Sequence, residues 1–411
     1  MKKLFIYTIT TLLLTNCNSL KRLKNVTQGN VSENNFIQEI PFDYYEDLIF
    51  IKVFINNKNY NFLFDTGWDL TAVGNHILED INISKVNVSG VSTDVANKNI
   101  KFDYLTLENV NIGTINFNNI GAFSHDFTHL SERLGCLGGF DGVIGNNLIR
   151  KAKWQIDYKN KVIRISDKIE QFTIDEKSFI IPIKTKSYGH AYIDIELNGN
   201  KEKFTFDTGF SGKFQSDLKL FEKLKSDKNI EYTVKTGFSG IQANGVTSGQ
   251  TFVSIIEDFK MSNIKLNNQR IDFEEGQSSL IGNEFFEEFI VTIDWEEKHI
   301  FLEKQTEFTK DTLSAYELLF APNYLTNQFQ FYNTWLDYQL DEPTSLTSKI
   351  LSINTIDVSD LSTNELCDLW NINNSKLLTK NVEIEILDNG NKKKIILTKK
   401  QLLPKENLKL E

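Results

Sequence analysis

Proline is scarce in this chain, with five in 411 residues and no two close enough to stiffen a linker. Domain boundaries therefore have to be read from residue pattern. Cysteine is scarcer still: three residues cannot build a disulfide-dense scaffold. Of five histidines, only His125 and His129 have a ligand-like spacing. No third ligand lies near them, which excludes an evident zinc site and leaves exposed loop histidines; no metal or cofactor is implied. The longest apolar stretch, Leu4 to Leu14, is interrupted by threonines and too short for a stable spanning helix. Basic residues are outnumbered 45 to 55, and the resulting net charge of −10 argues against a general nucleic-acid partner. What remains is 40% hydrophobic and long enough for several cores, which fits three domains.

What the chain does have is an internal repeat, the first thing to look for in a long sequence. Asp65-Thr66-Gly67 and Asp207-Thr208-Gly209 lie 142 positions apart, each behind an apolar run, Phe62-Leu63-Phe64 and Phe204-Thr205-Phe206. Downstream come Val143-Ile144-Gly145 and Leu280-Ile281-Gly282, offset by 137, so the first copy holds a net insertion of five residues. Gly135 to Asp141, rich in glycine, is its expected place. Each copy opens on Ile-Pro, at Ile40-Pro41 and Ile181-Pro182. Each continues with an alternating strand ending in Asn56-Asn57 or Asn198-Gly199, which predicts a hairpin. Each closes on a strand ending at Asp157-Tyr158 or Asp294-Trp295, then a lysine-containing turn and a last strand. Asp157 and Asp294 read as turn caps. A duplicated half-site with one carboxylate per copy suits chemistry that needs two acids together. Two carboxyls in contact cannot both ionise cheaply, so they share a proton.

These residues resemble the aspartic peptidases of the retropepsin and pepsin kind, over roughly Phe36 to Lys304. The resemblance implies a mostly β chain, with two similar β-barrel lobes and one catalytic aspartate from each, Asp65 and Asp207. It implies that Thr66 and Thr208 bond the opposite lobe. Gly67 and Gly209 would admit the tight turn, and Gly145 and Gly282 would let a strand thread beneath the active loop. Both halves lie in one chain, so a monomer suffices. The stretches around Gly90 and around Gly237 and Gly240 are candidate flaps, or else plain surface hairpin tips. One departure stands out: a small residue commonly follows Asp-Thr-Gly in the family, whereas here it is Trp68 and Phe210. Two functions therefore stay open. One is an aspartic endopeptidase acting on peptide or protein substrates; the other is a non-catalytic peptide-binding protein that keeps the scaffold. His190 and Ser187 have no surroundings resembling a nucleophile elbow.

The ends carry different signals. Lys2-Lys3, the apolar run and Leu14-Thr15-Asn16-Cys17 resemble a bacterial lipoprotein signal, with Cys17 as the acylated residue and a periplasmic-facing cell-envelope location; plain secretion is the alternative. The expected organisation is residues 1–17 as signal, 18–35 as a polar tether with Lys21, Arg22 and Lys24, and 36–170 and 178–305 as the lobes. A small α+β unit follows over 312–404. Its Ile353-Asn354…Asp357-Val358 stretch, short helix near Thr363 and Asp388-Asn389-Gly390-Asn391 hairpin resemble a PDZ domain. Cys136 and Cys367 fall in different units, so no disulfide between them is expected.

Overall fold

The computed structural model describes residues 19–93, 99–185, 189–228, 230–242, 245–262, 264–306, 310–337, 344–372 and 374–405. The signal segment, Cys17 and Ser187 lie outside them. The chain is mostly β, in several sheets.

Asparagine-rich turns set the register of the first hairpins. Asn56 and Asn57 both adopt positive φ (49° and 62°), and Asn198 and Gly199 repeat this at 49° and 86°. Positive φ at both central residues is what a two-residue hairpin turn requires, and asparagine and glycine tolerate it best. Leu48–Ile55 thus pairs with Lys58–Phe64, and Ala191–Leu197 with Asn200–Phe206. The alternation of these strands buries Phe62 and Phe64 in one lobe and Phe204 and Phe206 in the other. Lys161 and Lys298, at φ 53° and 57°, form the matched lysine turns that close each copy.

The two copies meet in a six-stranded sheet. Its order runs Phe179–Pro182, His299–Lys304, Phe289–Asp294, Lys153–Asp157, Val162–Ser166, Ile37–Pro41. The first three strands come from the second copy and the last three from the first, in mirrored order. At the seam Trp154 pairs with Ile293 and Ile156 with Val291. A single apolar core runs through this sheet and joins both lobes. At roughly 25 cal/mol per Å² of apolar surface buried, a shared core of this kind is what holds the half-sites together.

Three features differ from the sequence expectation. Residues 19–27, expected in a tether, form a helix, and Asn30–Val31 adds to the first-lobe strand Ile115–His125. The hairpin Leu318–Asn323 with Gln328–Trp335 shares the apolar core of the last unit, as expected, and in addition extends the second-lobe sheet by pairing with Tyr232–Gln242. Cys136 and Cys367 are joined in a disulfide. Their units are separate in sequence but adjacent in space. The first-lobe insertion carries Cys136 against the helix Thr363–Cys367, and Arg133 beside it reaches the Pro322 carbonyl at 3.4 Å. That helix begins at a reciprocal Ser362–Glu365 capping box, then packs on the four-stranded sheet of Ile356–Asp357, Lys349–Ile353, Asn381–Asp388 and Asn391–Thr398.

The disulfide links positions 231 residues apart. Closing so long a loop restricts the unfolded chain, and the expected loss on Cys367→Ser is about 2–4 kcal/mol in urea unfolding of the oxidised protein. A non-reducing peptide map should recover the Cys136 and Cys367 peptides joined. Recovery of both as free thiols from unreduced protein would refute the linkage.

Candidate active site

Each Asp-Thr-Gly loop leaves a buried strand beside the apolar run that precedes the later glycine. Phe62–Phe64 lies parallel to Gly142–Ile144, and the Asp65 N–H donates to the Ile144 carbonyl at 3.1 Å. In the second lobe the Asp207 N–H donates to the Ile281 carbonyl at 3.0 Å. Within each loop the glycine N–H turns back on its own aspartate: Gly67 to Asp65 Oδ1 at 2.8 Å, Gly209 to Asp207 Oδ1 at 2.9 Å.

The loops are tied to each other by the threonines. Thr66 Oγ1 donates to the Phe206 carbonyl at 2.9 Å and accepts from the Thr208 N–H at 3.0 Å. Thr208 Oγ1 donates to the Phe64 carbonyl at 2.7 Å and accepts from the Thr66 N–H at 3.0 Å. Both side chains are fully buried, so each hydroxyl is donor and acceptor at once. Four such bonds contribute about 1 kcal/mol each, and they fix direction as well as distance.

This tie presses each glycine onto the opposite carboxyl. A Cβ on Gly67 would stand 2.3 Å from Asp207 Cγ, and one on Gly209 would stand 2.2 Å from Asp65 Oδ2. Glycine is required here for close approach rather than for its φ. The two carboxyls thus lie against each other's loops, and both aspartates are buried. Burial pushes Asp65 well above the ordinary carboxylate range, and the negative charge of Asp207 adds to it. Asp207 is also raised by burial, against the Gly209 N–H, the Asp65 carboxyl and the His190 charge, which favour its ionised form. The pair therefore keeps one proton to higher pH than either acid alone.

Beneath the loops, a Cβ on Gly145 would meet the Trp68 carbonyl at 2.9 Å, and one on Gly282 the Phe210 carbonyl at 2.2 Å. The asparagines that follow were not singled out from sequence, although Gly-Asn recurs in both copies. Asn146 Nδ2 donates to the Thr66 carbonyl at 2.6 Å and Asn283 Nδ2 to the Thr208 carbonyl at 2.8 Å. The twins then part. Asn283 Oδ1 accepts from Tyr158 OH at 2.8 Å, whereas Trp295 stands at the matching place in the other copy. Among the described residues, Trp295 Nε1 and Asn146 Oδ1 are both buried and unpaired.

The bulky residues after Asp-Thr-Gly fold onto their own lobes. Trp68 stacks on Phe123 with centroids 6.2 Å apart, and the Phe210 ring lies against Gly212. His190, set aside in the sequence, bridges the lobes: its backbone N–H and Nδ1 both meet Asp69 Oδ1, at 3.0 and 2.9 Å. Its Nε2 lies 2.6 Å from Tyr192 OH.

The candidate flap glycines sit within two long hairpins. Gly90 lies in Ile83–Thr93, opposite Phe102 of Asn99–Ile112, where a Cβ would crowd the Phe102 and Tyr104 rings. Gly237 and Gly240 lie in the strand Tyr232–Gln242 of the second hairpin. Gly237, at φ 128°, admits the added C-terminal hairpin: a Cβ there would stand 2.2 Å from the Tyr332 carbonyl. His125 and His129 lie 6.5 Å apart between ring centroids, and no cluster of three metal-binding side chains occurs among the described residues. Asp157 accepts the Asn160 N–H and Asp294 the Glu296 N–H, both in turns.

Residues 51–148 match the family model of a gag-polyprotein putative aspartyl protease. No curated protein matches the chain. The matched stretch contains the first half-site from Asp65 to Gly145, and it supports a retropepsin-like aspartyl protease domain on a chain whose second half-site repeats the geometry.

Proposed function

We propose that this protein is a membrane-anchored aspartic endopeptidase, complete as a monomer, with Asp65 and Asp207 as its catalytic pair. The observation that carries the reading is the reciprocal threonine tie, which holds two buried carboxyls each against the opposite Asp-Thr-Gly loop. The shared proton divides the roles. The ionised carboxylate takes a proton from a water as that water adds to the peptide carbonyl carbon. The protonated carboxyl gives its proton to the carbonyl oxygen. The tetrahedral diol then collapses: the C–N bond breaks, a proton passes to the leaving nitrogen, and the pair returns to one proton. The Gly67 and Gly209 N–H groups hold the carboxyl orientation throughout. The anchor in this reading is Cys17 and its location the periplasmic face of a bacterial cell envelope. The unit over 312–404 is a PDZ-like accessory module.

Purified protein is expected to cleave an unfolded protein chain best at mildly acidic pH and to be blocked by pepstatin-like compounds. Asp65→Asn and Asp207→Asn should each lower kcat by about 10³-fold or more. Equal turnover in the wild type and both variants would leave the non-catalytic, peptide-binding reading in its place.

The same variants have a stability signature. A carboxyl whose pKa is raised on folding contributes stability at low pH that is lost as pH climbs through its folded value. The Asp65–Asp207 pair is raised, and so is Asp47, pushed up to about 6 by burial and by Glu287 and Glu284. Asp65→Asn should therefore unfold at a higher temperature than the wild type at pH 8, with the gap closing toward pH 4. A gap that widens toward acid pH would contradict the raised pair.

Gly67→Ala tests the geometry separately. Its methyl would overlap the Asp207 carboxyl, so activity should vanish although both acids are kept. Near-normal kcat in a folded Gly67→Ala protein would show that the two carboxyls need not meet.

A further inference from the structure

The helix over residues 19–27 has two unlike faces. Asn25 is buried, with Nδ2 donating to the Leu105 carbonyl at 3.0 Å and to Thr106 Oγ1 at 3.2 Å. A Cβ on Gly121 would stand 1.9 Å from the Asn25 carbonyl oxygen, so helix and first-lobe sheet touch backbone to backbone. Val26 packs against the first-lobe apolar cluster, and Lys151 Nζ donates to the Thr27 carbonyl at 2.8 Å. The helix is therefore part of the lobe. Its opposite face carries Leu20, 65% exposed, and Leu23, 47% exposed. They are three residues apart and so neighbours on the helix surface.

Charge adds to this face. Lys24, one turn on from Leu20, lies on it and Lys21 at its edge, both exposed, and no acidic residue occurs in the sequence before Glu33. The chain as a whole carries −10. A cationic, leucine-bearing helix face on an acidic protein is complementary to an anionic, apolar-backed surface, which is the chemistry of an anionic bilayer. Position in the sequence agrees: the helix follows directly on the apolar run Leu4 to Leu14 and Cys17.

We propose that residues 19–27 form a docking helix that lies on an anionic lipid surface, with Leu20 and Leu23 in the headgroup boundary and Lys21 and Lys24 on lipid phosphates. This deepens the membrane-anchored reading and rests on it, but adds a separate claim. An anchor at Cys17 alone would leave the lobes free to tumble. A helix welded to the first lobe through Asn25 fixes their orientation to the bilayer.

The test uses the full chain with Cys17→Ser and a single environment-sensitive fluorophore on Leu23→Cys, the other two cysteines being held in their disulfide. A parallel protein carries the label on Leu325→Cys, 57% exposed and in the turn of the C-terminal hairpin. Vesicles are phosphatidylcholine alone, or phosphatidylcholine with phosphatidylglycerol. The label at position 23 should shift to the blue and become shielded from an aqueous quencher only with the anionic vesicles. The label at 325 should stay accessible in both. Adding Lys21→Gln and Lys24→Gln should lower vesicle partition at least tenfold, at about fivefold per cation removed. Three results would overturn the proposal: a label at 23 that stays accessible while the protein is vesicle-bound, shielding that is equal in neutral vesicles, or shielding that appears only when a second protein is added. None of these measurements reads proteolysis. A shielded helix on an inactive protein would count against the peptidase reading alone, and an active, vesicle-bound protein with an accessible helix against this one alone.

Discussion

Two buried threonine hydroxyls decide whether this molecule has a site at all. Left to electrostatics, two carboxyls in a dry interface move apart or take up protons, because each ionised group loses its water and repels the other. Here the backbone gives them no room to separate. Thr66 is bonded to the Phe206 carbonyl and the Thr208 N–H, and Thr208 to the Phe64 carbonyl and the Thr66 N–H. The bonded backbone groups are those on either side of the aspartates, so the tie acts within one residue of the acids. What remains is to share a proton, and the raised pair shows that response. The shared core and the six-stranded seam offset the cost of holding the pair buried.

The duplication explains the site's symmetry, and the departures from it give the two lobes distinct surroundings. Asn283 has Tyr158 to complete its bonding and Asn146 does not. Asp69, four residues after Asp65, meets His190 of the second lobe, whereas the matching position in the second loop is Ser211. The surroundings of the carboxyl pair are thus unlike on its two sides, with an interlobe imidazole–carboxylate contact on one and a serine hydroxyl on the other.

The repeat made most of the fold and the central site legible from sequence, because local chemistry alone dictates them. The Asn-Asn and Asn-Gly turns need positive φ, strand alternation sets which residues enter the core, and Asp-Thr-Gly stands at the end of each buried strand. The features that were missed depend on residues distant in sequence. Nothing near Cys136 or Cys367 signals that the first-lobe insertion and the helix Thr363–Cys367 touch. The hairpin Leu318–Asn323 and Gln328–Trp335 reads as a strand pair whichever sheet it joins; its core residues pack with the last unit, and only its register with Lys235 to Gly237 reveals that it also extends the second-lobe sheet. The helix over 19–27 is too short for periodicity to reveal a buried face, and Asn25 looks like any polar residue until Gly121 is placed beneath it. Asn146 and Asn283 were the recoverable miss, since a matched residue one position after each matched glycine is visible in the text of the repeat.

The C-terminal segment makes the two long hairpins unequal in how readily they can move. Tyr232–Gln242 is bonded on one side to Gly245–Ile256 and, over Lys235 to Gly237, on the other side to Gln328–Trp335. The hairpin containing Gln328–Trp335 is in turn held to the first lobe, through Tyr45 OH on Tyr324 OH at 3.0 Å and the Arg133 guanidinium over the Tyr332 ring at 4.9 Å. Lifting the second-lobe hairpin would break a backbone ladder and strain contacts tied by the Cys136–Cys367 bond. Ile83–Thr93, by contrast, is an edge strand that pairs only with Asn99–Ile112 among the described residues. Its partner strand is laterally paired from Tyr104 onward, to Ile115–His125, so only residues 89–93 with 99–103 stand without a neighbour on either side among the described residues. The outer part of the first-lobe hairpin is therefore less constrained than its second-lobe counterpart, which a third strand and the C-terminal contacts hold.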